Sequence, residues 1–219
     1  MLGACKEPDA PLRLAPYEFR LVDAQDTLVF HWPTSSLPVR FYAEPAGQLP
    51  QYVRDGVRAW QRQFLYGEFR AVIVDDSGTA DVIVVMDGDP PPDAPLTGDP
   101  LQRTCEGLTL LPQRTADANG GVRFSAPLRV HVRWYPGADS TAAQNCLAVV
   151  TTHELGHALG LLQHSSDPLD LMYSDLGVRA PSLRDQSTIQ TLFHQPTDIL
   201  PWDPDAGMTA AMGAGEVIR

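Results

Sequence analysis

The fold of this chain is decided by the stretch His153-Glu154-Leu155-Gly156-His157-Ala158-Leu159-Gly160-Leu161-Leu162-Gln163-His164. Its first two histidines are four residues apart, so in a helix they lie one turn apart on the same face. Two imidazoles in that arrangement can bind one zinc ion at about 2.0–2.1 Å. Glu154 points to the side of the pair, where its carboxylate can reach a metal-bound water rather than the metal itself.

The third histidine requires the helix to end. His164 comes eleven residues after His153, and in an unbroken helix it would lie about 16 Å further along the axis. Gly160 stands where the chain must turn back, because glycine accepts the left-handed conformation that ends helices. We therefore predict that His153, His157 and His164 bind one catalytic zinc ion and that Glu154 is the catalytic base.

A methionine follows the last histidine at a short distance. Met172 lies within Leu171-Met172-Tyr173, eight residues beyond His164. A thioether in a tight turn can form an apolar floor under the histidines without binding the metal. We expect Met172 to be a packing element of the site.

These residues carry a resemblance to a known family. The histidine stretch resembles the metzincin signature, and Ser165 together with the distance to Met172 resembles the matrixin branch of that family. The resemblance extends, less specifically, over residues 37–194. It implies an α+β catalytic domain of the zincin type that hydrolyses peptide bonds in peptide or protein substrates, as a zinc-dependent endopeptidase. Its twisted sheet is expected to be mixed and mostly parallel, with two long helices and a C-terminal helix.

A second hypothesis is a catalytically inactive, zinc-containing surface protein that binds peptides without cleaving them. The intact Glu154 argues against it, because a degenerate enzyme would be expected to lose its base before its fold. Nothing in the sequence indicates self-association, and we expect a monomer.

The chain departs from the animal matrixins where they bind a structural zinc. The loop Asp87-Gly88-Asp89-Pro90 has no histidine, and Arg133 stands where an acidic residue is expected after His131. We therefore predict no second zinc and a solvent-facing His131. Asp81 resembles a calcium-binding position of the family, and the alternative is an aspartate that begins a strand after a turn.

Composition limits the kind of protein and its partners. A net charge of −11 argues against nucleic acid, which is bound by basic surfaces. No run approaches the roughly 18 apolar residues needed to cross a bilayer. We divide the chain into an extended lead-in (1–36), one catalytic domain (37–195) and a loosely ordered tail (196–219).

Hydrophobic periodicity predicts the elements of the catalytic domain. An apolar face from Val53 to Phe64 predicts a helix from about 49 to 65. Ser140 or Thr141 is expected to cap the helix that carries the histidines. The remaining elements are strands at 37–42, 69–74, 81–86, 108–111 and 128–134, and a last helix opened by a capping box of Ser182 and Asp185.

The three cysteines bear on the compartment. Cys105 and Cys146 are candidates for a disulfide that closes a loop of about 41 residues, and two unpaired buried thiols are the alternative. Leu2-Gly3-Ala4-Cys5 resembles the lipobox of bacterial lipoproteins, in which the cysteine is acylated; a chance match is the alternative. We expect an exported protein, secreted or anchored to the bacterial envelope membrane by a lipid on Cys5, whose signal segment is missing from this sequence.

Overall fold

The computed structural model describes residues 14–22, 27–117, 120–204, 208–212 and 216–218. Cys5, and with it the lipidation prediction, lies outside these ranges. No helix within them is both long enough and apolar enough to cross a membrane. The described helices are α1 (Leu49–Gln61), α2 (Ser140–Ala158) and α3 (Leu183–Phe193). The described strands are β1 (Leu21–Val22), β2 (Thr27–Leu28), β3 (Val39–Ala43), β4 (Ala71–Val74), β5 (Val82–Met86), β6 (Cys105–Leu111), β7 (Arg114–Asp117), β8 (Val122–Phe124), β9 (Leu128–Trp134), β10 (Ile199–Leu200), β11 (Met208–Met212) and β12 (Glu216–Ile218).

The largest sheet has the strand order β12-β6-β9-β5-β3-β4. Strands β4, β3, β5 and β9 run parallel to one another, whereas β6 is antiparallel to β9 and β12 is antiparallel to β6. This is the mixed sheet with three helices expected of an α+β fold. Helices α1 and α2 pack against each other and against this sheet. Two smaller sheets combine β1 with β2 and β10-β8-β7-β11.

Several element ends differ from the sequence prediction. Helix α1 ends at Gln61, although Phe64 still packs into the core beyond it. The cap of α2 is Asp139, whose side chain accepts a hydrogen bond from the Ala142 backbone; the prediction of Ser140 or Thr141 is wrong, since the carboxylate one residue earlier takes that role. The capping box at the start of α3 is present as predicted.

The lead-in and the tail contribute to the same hydrophobic core as the central elements. Leu21, Phe30 and Trp32 are buried, and the Trp32 indole donates to the Ala158 carbonyl at 2.9 Å. The prediction of a loosely ordered tail is wrong for its described part, because β10, β11 and β12 each pair with an earlier strand. These strands have two, five and three residues, which is too short for a hydrophobic period to predict them.

The long loop of residues 87–104 is fastened to the N-terminal half of α2. The Gln144 side-chain amide donates to the backbone carbonyls of Pro91 and Pro92 at 3.3 and 2.9 Å. The Asn145 side chain exchanges hydrogen bonds with Thr97 at 2.9 Å each. These bonds satisfy polar groups of a segment that has no strand or helix of its own.

Candidate metal centre

Helix α2 presents the first two histidines from its last turns. His153 and His157 are both buried and lie one turn apart. The helix ends at Ala158, and Gly160 then takes a φ of +111° that reverses the chain. A Cβ at Gly160 would lie 2.0 Å from the Phe30 carbonyl oxygen, so both the conformation and the space require glycine.

This reversal brings His164 back to the other two rings. The Nε2 atom of His153 lies 3.1 Å from that of His157 and 3.2 Å from that of His164, and the third distance is 3.3 Å. Three tetrahedral ligands at the usual zinc–nitrogen distance would be about 3.3–3.4 Å apart. The spacing of the three nitrogens therefore fits one zinc ion.

Backbone carbonyls determine which nitrogen of two rings carries the hydrogen. His153 Nδ1 lies 2.7 Å from the Leu171 carbonyl oxygen, and His157 Nδ1 lies 2.5 Å from that of Leu161. A carbonyl can only accept, so each Nδ1 is the donor and each neutral ring has its lone pair on Nε2. Lone pairs that converge in this way repel one another unless a cation lies between them, and the donor set therefore fits a metal.

Burial keeps these rings neutral. It lowers the pKa of His153 to about 4 and the pKa of His157 well below its usual value. The pKa of His164, which is partly buried, is also lowered by burial. Neutral imidazole is the form that binds a metal ion.

Met172 lies against α2 at Gly156, the residue before His157. Its sulfur would be 2.5 Å from a Cβ at Gly156, so the missing side chain there allows the close approach. Its carbonyl accepts from the Ser165 backbone at 2.8 Å, which joins the turn to the residue after His164. The side chain is fully buried, as a packing element would be.

Asp185 supports this turn from α3, a role that sequence reasoning missed. Its carboxylate accepts from the Leu171 backbone at 2.7 Å and from the Tyr17 hydroxyl at 2.8 Å. Leu171 in turn accepts from His153. Burial raises the pKa of the Asp185 carboxyl. The capping box indicates Asp185 in the sequence, but no local pattern connects it with the histidines.

Glu154 is held between α2 and β6 and is 2% exposed. The Thr109 hydroxyl lies 2.7 Å from its Oε2 atom, and a Cβ at Gly107 would lie 2.6 Å from its Oε1 atom. Burial raises the pKa of the Glu154 carboxyl to about 8, against the opposing effect of the Thr109 hydrogen bond. Thr109 and Gly107 were not singled out from the sequence.

One face of β6 follows one face of α2 over two helical turns. Cys105 and Cys146 form a disulfide with their Cα atoms 5.7 Å apart. Two residues along β6, a Cβ at Gly107 would meet Val150 as well as Glu154. Each step of two residues along β6 therefore matches a step of four residues along α2. These are the intervals at which side chains return to the same face of a strand and of a helix.

A cavity of about 190 Å³ opens beside this contact. Its lining includes His153, Glu154, Gly107 and Leu176. A larger cavity of about 460 Å³ lies elsewhere, around Trp32 and Trp202, and none of the site residues lines it. The small cavity therefore places space for a ligand next to the histidines and the carboxylate.

The residues considered for other metals lie apart from this centre. His131 is partly buried, and its Nδ1 lies 2.9 Å from Asp87 Oδ1. The Arg40 guanidinium donates to both carboxylate oxygens of Asp81, at 2.6 and 3.0 Å. This arrangement gives no support to the hypothesis that Asp81 binds calcium. Within the described ranges, His153, His157 and His164 are the group of three side chains that could share an ion.

Comparison with known families agrees with this geometry. The family model of the matrixins matches residues 97–194, somewhat under half of the chain. That range contains the three histidines, Glu154 and Met172. The resemblance to the matrixin branch of the metzincins is confirmed for this stretch, and it indicates a metallopeptidase of a zinc-dependent family. No curated protein matches the chain.

Proposed function

We propose that this matrixin-like chain is a zinc-dependent endopeptidase, with zinc held by His153, His157 and His164 and with Glu154 as the catalytic base. The observation that carries the proposal is the convergence of three Nε2 atoms beside a buried carboxylate and an open cavity. Neutral ligands leave the charge of the ion undiminished, so it acts as a strong Lewis acid.

When bound, zinc polarises the scissile carbonyl and lowers the pKa of the attacking water. Glu154 accepts the proton of that water and then donates it to the leaving amine. Burial favours the first of these steps, because it raises the pKa of the Glu154 carboxyl and so makes the carboxylate a stronger base than an exposed glutamate. The carbonyls of Leu171 and Leu161 keep two histidine rings in the orientation that the ion needs.

A hydrolysis assay on unfolded casein tests the proposal. The zinc-loaded protein is expected to cleave it internally, 1,10-phenanthroline should stop the reaction, and added zinc should restore it. Glu154→Gln, which keeps size and loses the base, is expected to retain one zinc per chain and to lower kcat by about 10²–10⁴-fold. Wild-type turnover in that variant would contradict the assignment of the base.

The same assay separates the endopeptidase from the inactive peptide-binding protein. A binding protein would retain unfolded casein on a zinc-loaded column without producing fragments. Glu154→Gln would then change nothing that the assay measures. The intact carboxylate beside the cavity favours the enzyme.

We further propose that the protein is exported as a monomer and is either secreted or anchored to the envelope through a lipid on Cys5. The Cys105–Cys146 disulfide supports an oxidising compartment. Fatty-acid labelling of cells that express the gene with its upstream region, with Cys5→Ala as the control, tests the anchor. Label that persists in the Cys5→Ala protein would contradict it.

A further inference from the structure

We propose that Thr109 is a positioning residue for Glu154. Its hydroxyl holds one carboxylate oxygen of Glu154, so that the other oxygen is the one presented to the reacting water. This inference rests on the proposed function, in which Glu154 is the base.

The contact between the two side chains is short and buried. Thr109 Oγ1 lies 2.7 Å from Glu154 Oε2 and 3.1 Å from the Glu154 backbone oxygen. A hydroxyl has one hydrogen to donate. The shorter of the two distances assigns that hydrogen to the Glu154 side chain.

The second carboxylate oxygen lies over a residue without a side chain. The Oε1 atom of Glu154 would be 2.6 Å from a Cβ at Gly107. Gly107 and Glu154 both line the cavity beside His153. With Oε2 bonded to Thr109, Oε1 is left to serve as the acceptor on the cavity side.

The backbone that carries Thr109 is fixed from both sides. Thr109 is paired with Val130 of β9 and with Ile218 of β12. A β-branched side chain also has little rotational freedom about its first bond. The hydroxyl is thus a rigid donor, and a rigid donor is what makes a carboxylate keep one orientation.

Three variants test the inference. Thr109→Val removes the hydroxyl at nearly constant volume, and Thr109→Ser restores it. Thr188→Val is the matched control, because Thr188 is also 0% exposed but its hydroxyl donates to a backbone carbonyl, that of Arg184, and not to the Glu154 carboxylate. For each zinc-loaded protein we would measure the zinc content and the kcat and KM for a cleaved peptide. We would also determine its crystal structure.

Thr109→Val is expected to lower kcat by about 10- to 100-fold, the range for a lost hydrogen bond to a charged group. KM and zinc content should stay within about twofold, Thr109→Ser should recover most of kcat, and Thr188→Val should leave it unchanged. In the crystal structure of Thr109→Val, the Glu154 carboxylate should be rotated or split between two orientations.

Unchanged kcat in Thr109→Val, or an equal loss in Thr188→Val, would overturn the positioning role. If the wild-type protein cleaves no peptide, the crystal structures decide alone. A carboxylate in its original place in Thr109→Val then refutes the inference. A displaced carboxylate supports it, while the missing hydrolysis counts against the proposed function only.

Discussion

Gly107 lies where any side chain would displace the Glu154 carboxylate. A Cβ there would come within 2.5 Å of Glu154 Cγ and 2.7 Å of a Val150 methyl group. We expect Gly107→Ala to lower kcat by about 10²-fold or more, since a misplaced base loses much of its general-base contribution. Its zinc content should not change. Gly98→Ala is the matched control, because nothing lies within 4 Å of a Cβ at Gly98. Equal activities of the two variants would contradict the crowding at Gly107.

The burial of Glu154 also predicts a pH dependence of stability in the metal-free protein. The pKa of its carboxyl rises from 4.5 to about 8 on folding. Between these values the folded state keeps a proton that the unfolded state has released, so this residue's contribution to the free energy of unfolding falls as pH rises. Glu154→Gln cannot titrate. Urea unfolding of both metal-free proteins should show the wild type losing stability relative to the variant from pH 4.5 to pH 8, and parallel curves would refute the shift.

Single residues of the site differ in how far the sequence could identify them. The spacing of His153, His157 and His164, with Glu154 between them, follows from one helix and one turn. Local geometry was therefore enough to bring the four side chains together in the prediction. Thr109 lies on a strand distant in the chain, and its bond to Glu154 depends on how β6 packs on α2. No local period reveals a contact of that kind.

Helix α2 and strand β6 are the two elements whose contact holds the base, and a disulfide joins them. Removing it by Cys105→Ala with Cys146→Ala is expected to lower the free energy of unfolding by at most about 4 kcal/mol, for a loop of 41 residues. Urea unfolding of the variant and of the wild type measures the loss. Because β6 would be held less firmly on α2, kcat should also fall. Thr109→Val should then lower kcat by a smaller factor in the variant without the disulfide than in the wild type. Full additivity of the two changes would show that the disulfide does not stabilise the position of Glu154.

At the scale of elements, prediction succeeded where one period covers the whole element. The alternation from Leu128 to Trp134 predicts β9 with both its ends. The predicted end of α1, at about residue 65, is too late, because Phe64 continues the apolar face although the helix ends at Gln61. The cap of α2 could not be chosen from composition alone, since Asp139, Ser140 and Thr141 are all residues that cap helices.

The whole molecule depends on residues near the start of the described chain. Phe30 is buried against the rings of Trp32 and Phe124, with centroids 5.5 and 4.8 Å away. We expect Phe30→Ala to lower the free energy of unfolding by about 3–5 kcal/mol, as in other large-to-small core substitutions. Unfolding in urea followed by tryptophan fluorescence measures it. Val22→Ala is the control, because Val22 is 59% exposed and surface changes usually stay within about 0.5 kcal/mol. Similar losses in both variants would argue against a core role for Phe30.

The packing of the lead-in and the tail around the central helices and strands could not be predicted from the sequence. Leu21, Phe30 and Trp32 lie in apolar runs of only two to five residues, which are too short to predict how the segment packs. Strand β12 has only three residues, and it forms a strand by pairing with the edge of the sheet at β6. Such pairing depends on tertiary context, which a short segment does not specify.

The turn at Gly160 has a consequence for the growing chain on the ribosome. Gly160 turns against the backbone of Phe30, which emerges early, whereas Leu171 depends on Asp185, which emerges late. A nascent chain that ends just after His164 contains all three histidines. It lacks Leu171 and Asp185, which orient His153 in the complete protein. The orientation of His153 is therefore complete only once the chain includes α3, whose Asp185 holds the residue that accepts from its ring.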